Sequence, residues 1–448
     1  MRLFTICAAI LMLACLPFNA VLADDASETP DSELASAIVD GEMANEAEDD
    51  TSEDDSPGLT GARDDEDEDD DTSDIDTETT VSQTESKTGL RSNGDLRPIY
   101  DYVNIDGRNG AKLVDDTVGF RARIRADFGI TETVHVGARL AGSCFTDDCN
   151  LDFVLDSTPD RNNGLRGGQF TFDELYFHWF RPRGSIAFGR LQTRFVLRSG
   201  VYAKSLDRNN SNNVNVNWTD GFQAKYRAKN GWRSSLVIER NGSDGTGSIR
   251  HGPLNFDDSK ARNTAFVGFE NIESWGPFVQ RAFDISYLPK SLAEDGLLST
   301  NREDYWGLVG RGAWRWPQRS DGIRLRTGLE LGYAPNTQTA QAANLAADAD
   351  GLAWDIVVSL MDFQPGHSIG VNYAQTGAGW LLAPQFRPNE ELFEIRYIWR
   401  PVNLKIVPLL EARIRWREDL EQELTASQKR QEFDGYIRMT WEFIIKSR

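Results

Sequence analysis

Arg121, Arg123 and Arg125 occupy every second position of one segment, Arg324 and Arg326 of another, and Arg413, Arg415 and Arg417 of a third. A guanidinium group is planar, permanently charged and forked, so it takes a carboxylate or phosphate bidentately. Rows of such groups attract and guide anions; they do not make or break bonds. A spacing of two is the repeat of a strand, whose successive side chains point to opposite faces. The positions between the arginines are apolar. Val118, Phe120, Ala122, Ile124, Ala126 and Phe128 flank the first row, Ile323, Leu325, Leu329 and Leu331 the second, and Leu410, Ala412, Ile414 and Trp416 the third. A soluble sheet would bury the greasy face and leave the arginines in water. Turned inside out, the same pattern is a barrel with lipid outside and a charged aqueous interior.

Sixteen alternating segments can be marked between residues 98 and 444: 98–104, 117–129, 132–144, 169–181, 184–196, 213–228, 231–240, 263–272, 277–288, 304–316, 321–333, 351–363, 366–376, 389–400, 402–417 and 433–444. Their connections alternate between short turns, such as Pro182-Arg183 and Gln364-Pro365, and long polar stretches, such as 145–168 and 241–262. Short turns on one side, long loops on the other and an even strand count describe a bacterial membrane barrel. Tryptophan placement agrees. Trp179, Trp232, Trp275, Trp316, Trp399 and Trp441 fall at the short-turn ends, and Trp306, Trp354 and Trp416 at the others. A ring with a polar N–H favours the lipid–water boundary, so these form two girdles. The expected fold is therefore all-β: a transmembrane antiparallel barrel of about 16 strands, preceded by a disordered acidic segment.

The first residues supply an address. Arg2, the apolar run Leu3–Leu16 and the small-residue site Val21-Leu22-Ala23 read as a secretory signal over 1–23. Met12-Leu13-Ala14 before Cys15 offers a lipoprotein alternative. No later run of apolar residues is long enough for a spanning helix. Residues 24–95 carry 27 acidic groups against Arg63, Lys87 and Arg91, without an aromatic residue, so the stretch 24–96 is expected to stay disordered on the periplasmic side. Its own net charge of −24 exceeds the −22 of the whole sequence, which leaves the barrel, 97–448, close to neutral. Near a cationic opening such a segment could plug the pore electrostatically; as a solvated spacer it would do nothing. Cys144 and Cys149 remain after signal removal and are expected to form a local disulfide in an oxidising periplasm.

Strictly alternating Tyr436–Phe443 places an aromatic residue close to the terminus, and Ile444-Ile445-Lys446-Ser447-Arg448 follow it. Together with the strand count, this resembles the bacterial outer-membrane porins over residues 98–448. The stretch Phe188-Gly189-Arg190-Leu191-Gln192-Thr193-Arg194-Phe195, with Ser205-Leu206-Asp207-Arg208-Asn209 after it, is similar to the phosphate-selective porin O and P type. The resemblance implies that the third external loop, 197–212, folds inward as a constriction bearing Arg198, Lys204, Asp207 and Arg208. It also implies a homotrimer. Parity places Arg121, Arg123, Arg125, Arg139, Arg311, Arg315, Arg324, Arg326, Arg396, Arg413 and Arg415 on the pore lining, and the matched stretch adds Arg190 and Arg194. The expected function is passive diffusion of small hydrophilic solutes with a preference for anions. The alternative is a channel specific for phosphate or another small anion.

Rival classes find little support. An enzyme would need a coupled nucleophile, and His135, His178, His251 and His367 sit in no such motif. The glycines of Gly307-Leu308-Val309-Gly310-Arg311-Gly312 lie inside a strand pattern with no helix after it, so they are no nucleotide loop. Asp74 and Asp76 lack the spacing of a calcium loop. No cofactor, metal or nucleic acid is expected. A soluble β-sandwich would concentrate its aromatic residues mid-strand, against the pattern seen.

Overall fold

The computed structural model describes residues 88–146, 149–155, 168–202, 204–207, 219–241, 262–293, 302–318, 322–382, 386–401 and 408–445. The expected signal, with Cys7 and Cys15, lies outside the described residues, as do positions 24–87 of the acidic stretch and Arg208.

Seventeen strands form, and no helix occurs among the described residues. They are β1 (Gly89–Asp106), β2 (Lys112–Thr131), β3 (Val134–Phe145), β4 (Asp152–Phe153), β5 (Gln169–Arg181), β6 (Gly184–Leu191), β7 (Thr219–Arg227), β8 (Arg233–Asn241) and β9 (Arg262–Asn271). They continue as β10 (Phe278–Ala293), β11 (Arg302–Arg315), β12 (Arg324–Tyr333), β13 (Leu352–Gln364), β14 (His367–Thr376), β15 (Glu390–Trp399), β16 (Leu409–Asp419) and β17 (Gln431–Ile445). All but the two-residue β4 build one antiparallel ring. Each wall strand pairs with the next, β3 reaches β5, and β1 closes on β17. β4 lies parallel to β5. The fold is an all-β closed barrel of sixteen strands, and closure satisfies every strand edge.

Alternation sorts side chains as the pattern requires. Arg121 and Arg123 are 3% and 1% exposed, whereas Phe120 and Ile124 between them are 41% and 51% exposed. Val358 and Ile356 on β13 face out while Val357 and Ser359 face in. The large exposed side chains include Trp232, Trp275, Trp306, Trp316 and Trp399 near strand ends. This surface is inverted relative to a water-soluble protein, which keeps its ion pairs outside.

Each of the sixteen marked segments becomes a strand, with differences at several ends. The barrel begins at Gly89, ahead of the boundary drawn at residue 97, because Asp95, Arg97 and Asp101 are inward-facing members of β1. Charged inward positions hide a strand from any hydrophobic pattern. With β1 and β2 extended, the connection expected over 105–116 shrinks to 107–111. β6 stops at Leu191 because the chain turns inward there, and the first positions marked for β7 and β16, 213–218 and 402–407, lie outside the described residues. The turn between β13 and β14 is a two-residue hairpin, Gln364 pairing with His367. Pro365 fixes its own φ and Gly366, at φ 76, takes the left-handed position, as a type II turn demands.

Candidate functional site

Beyond Leu191 the chain leaves the wall and crosses the inner face of strands β10 to β15. Gln280 on β10 accepts from the Arg198 amide at 2.8 Å and donates to the Val196 carbonyl at 2.8 Å. The Val201 amide donates to Ser359 Oγ on β13 at 3.2 Å. Tyr202 Oη donates to the carbonyls of Gly370 on β14 at 2.7 Å and Glu394 on β15 at 3.0 Å. Lys204 pairs with the Glu394 carboxylate, and the Ser205 hydroxyl and Leu206 amide donate to Glu330 on β12 at 3.0 and 2.9 Å. Asp207 pairs with Arg311 on β11. Six strands thus hold one inward segment.

Such close approach requires missing side chains on the wall. A Cβ on Gly370 would stand 2.5 Å from the Tyr202 ring, and one on Gly332 would stand 2.8 Å from Trp380. Trp380 belongs to a second inward segment, between β14 and β15. Its Nε1 donates to the Leu206 carbonyl at 3.1 Å, tying the two segments together. Leu206, Trp380, Leu382 and Phe386 join Tyr305, Val309, Ala353 and Leu392 of the wall in one apolar cluster. This inner core escaped the reading of the sequence, although inward-parity glycines such as Gly332 and Gly370 marked where something must lie close.

The charged residues form a lattice of ion pairs. Asp95 takes Arg121 and Arg123 at 2.7 and 2.8 Å. Arg139 joins Asp173 at 2.7 Å and Glu174 at 2.8 Å, and Arg190 joins Asp220 at 3.0 Å. Arg125 pairs with Asp127 at 2.7 Å. Arg396 holds Glu394 at 2.8 Å, Arg438 holds Glu411, and Arg413 and Arg415 share Asp434. Arg311 is enclosed by Glu330 at 2.9 Å, Asp284 and Asp207. Arg125 and Asp127 stay partly exposed, but the other pairs are enclosed and so shielded from salt, and the loss of either partner strands the other in a low-dielectric setting.

Of the expected lining residues, Arg121, Arg123, Arg139, Arg190, Arg311, Arg396, Arg413 and Arg415 stand buried on the interior face. Arg125, Arg194, Arg315, Arg324 and Arg326 are partly exposed, and Arg315, Arg324 and Arg326 lie at the short-turn ends of β11 and β12. Arg324 pairs with Asp362 there. Arg198, Lys204 and Asp207 lie together on the inward segment. Cys144, the penultimate residue of β3, is joined to Cys149 beyond the strand as a disulfide with Cα atoms 4.5 Å apart. Among the described residues no group of three or more metal-ligating side chains assembles. His135 and His178 pack on Phe180, and His367 stacks on Trp399, so the described histidines are aromatic packing partners.

No family model matches the chain, and no curated protein does. Solved structures do. OprB of Pseudomonas putida is similar at 8% identity and a TM-score of 0.52, over 79% of this chain and 94% of that one. OccK8 (OprE) and OpdQ of Pseudomonas aeruginosa each align over 80% of this chain and 98% of theirs, at 13% and 11% identity with TM-scores of 0.43 and 0.46. The OprB match establishes a shared barrel fold and nothing about solutes.

Proposed function

We propose that this chain is an outer-membrane porin, a passive pore for small hydrophilic solutes with a preference for anions. One observation carries the reading: a closed sixteen-strand wall whose apolar face is bare and whose charged face is enclosed. An apolar belt of that extent is stable against hydrocarbon and a liability in water. The barrel fold shared with OprB of Pseudomonas putida is consistent with the same assignment. The inward segment Leu197–Asp207 serves as the constriction, pressed against one side of the interior by its bonds to six strands. Arg198 and Lys204 there, with the arginines of the wall and of the short-turn rim, bias the remaining passage toward anions. Ion pairing moderates that bias, so the preference is one of degree. A homotrimer belongs to the same proposal.

Purified protein added to a planar bilayer should give stepwise conductance, and in a KCl gradient the current should reverse on the chloride side of zero. Reversal on the potassium side would overturn the anion preference. Absence of conductance from folded, inserted protein would overturn the pore.

A further inference from the structure

Arg97 is the odd member of the wall. It is 4% exposed, on the inner face of β1, where the barrel closes. Its Nε donates to Thr440 Oγ1 on β17 at 2.9 Å, and its Nη1 is buried with no hydrogen-bond partner. Across the sheet on the other side it stands directly opposite Arg121 of β2. Like charges in that relation repel. The charges acting on it most strongly are Arg121, Arg438, Asp95 and Arg123, three of them guanidinium groups. The nearby acids are engaged elsewhere: Asp95 is shared by Arg121 and Arg123, and Glu411 holds Arg438 and the Tyr436 hydroxyl. Glu442 lies one step further along β17, opposite Asp95. A buried guanidinium without a carboxylate is costly, and it forms a strong, directional site for any oxygen anion that reaches it.

We infer that the closure seam of β17, β1 and β2 is a binding site for a small oxyanion, with Arg97 as its anchor and Arg121, Arg123 and Arg438 completing a cationic cup. The ligand class is a single phosphate, sulfate or carboxylate group. Because Nη1 is enclosed, the anion seats with a local shift of side chains at the seam. The inference rests on the pore reading only for how the anion arrives.

Equilibrium dialysis of the detergent-solubilised full chain against labelled inorganic phosphate tests it without any need for conduction. One phosphate should bind per chain. Arg97→Gln should weaken it by roughly tenfold or more, the usual loss for a charge-assisted hydrogen bond, and Arg97→Lys, which keeps charge but loses the fork, by less. Acetate in competition separates the sources: displacement at similar concentration marks a general carboxylate and phosphate site, and failure to displace marks a tetrahedral one. Either result upholds the site. Heat-modifiable migration on a gel verifies that each variant folds; should Arg97→Gln fail that check, Arg97→Lys carries the comparison. No phosphate binding by the wild type, or unchanged binding by a folded Arg97 variant, would overturn the inference. Bound phosphate without ion current would instead sink the pore reading and leave the site standing.

Discussion

Replacing Arg311 with alanine should destabilise the folded barrel by about 3–5 kcal/mol, the usual cost of removing one partner from a buried charge cluster. Three enclosed carboxylates, Asp207, Asp284 and Glu330, converge on this one guanidinium. Without it they repel one another where water cannot reach them, and Asp207 loses its tie to the wall. The urea midpoint of unfolding from detergent micelles reads the effect. Arg311→Lys should cost less, since one ammonium preserves the charge but cannot bridge three partners. Adding Asp284→Asn to Arg311→Ala should restore part of the loss, because it removes one stranded charge; residues in contact couple by roughly 0.5–3 kcal/mol. An Arg311→Ala barrel with a wild-type midpoint would show that this cluster is solvated rather than enclosed.

Val358→Arg should cost about 2–4 kcal/mol when the barrel folds into lipid vesicles, the depth-dependent penalty of a cation on a lipid face near the midplane. Val358 is in the middle of β13 and points outward among Ile356 and Leu360, which are exposed like it. The same change at Leu352, the first residue of that strand, should cost only about 0–1 kcal/mol, as it would near an interface. On a water-exposed sheet both substitutions would fall within about 0.5 kcal/mol of neutral. The gradient along one strand therefore distinguishes hydrocarbon from water. Equal, small effects at 352 and 358 would remove the membrane from the account.

Much of the architecture was legible in the sequence because a two-sided wall imposes a period of two along every strand. Val118 to Phe128 and Leu410 to Trp416 carry it without interruption, and short turns such as Pro365-Gly366 punctuate it. What stayed hidden did so for identifiable reasons. The early part of β1 was obscured since Asp95 reads as the last residue of an acidic tail, whereas the interior accepts charge at inward positions. The apolar filling around Trp380 and Leu206 comes from loops, where no periodicity distinguishes an inward side chain from an outward one. The pairing of arginines with acids depends on register across strands: Asp95 meets Arg123 only because β1 and β2 align Gly89 with Gly129. A list of inward arginines therefore overstated how bare the interior charge is. It also passed over Arg97, the member whose partners fall short.

Inversion of the two faces is the claim on which all this depends, and nitroxide labels at residues 124 and 125 test it most directly. Ile124 faces out and Arg125 faces in, one residue apart on β2. In vesicles, the label at 124 should collide more with dissolved oxygen, which concentrates in hydrocarbon, and the label at 125 more with a water-soluble nickel chelate. Greater chelate access at 124 than at 125 would contradict the account.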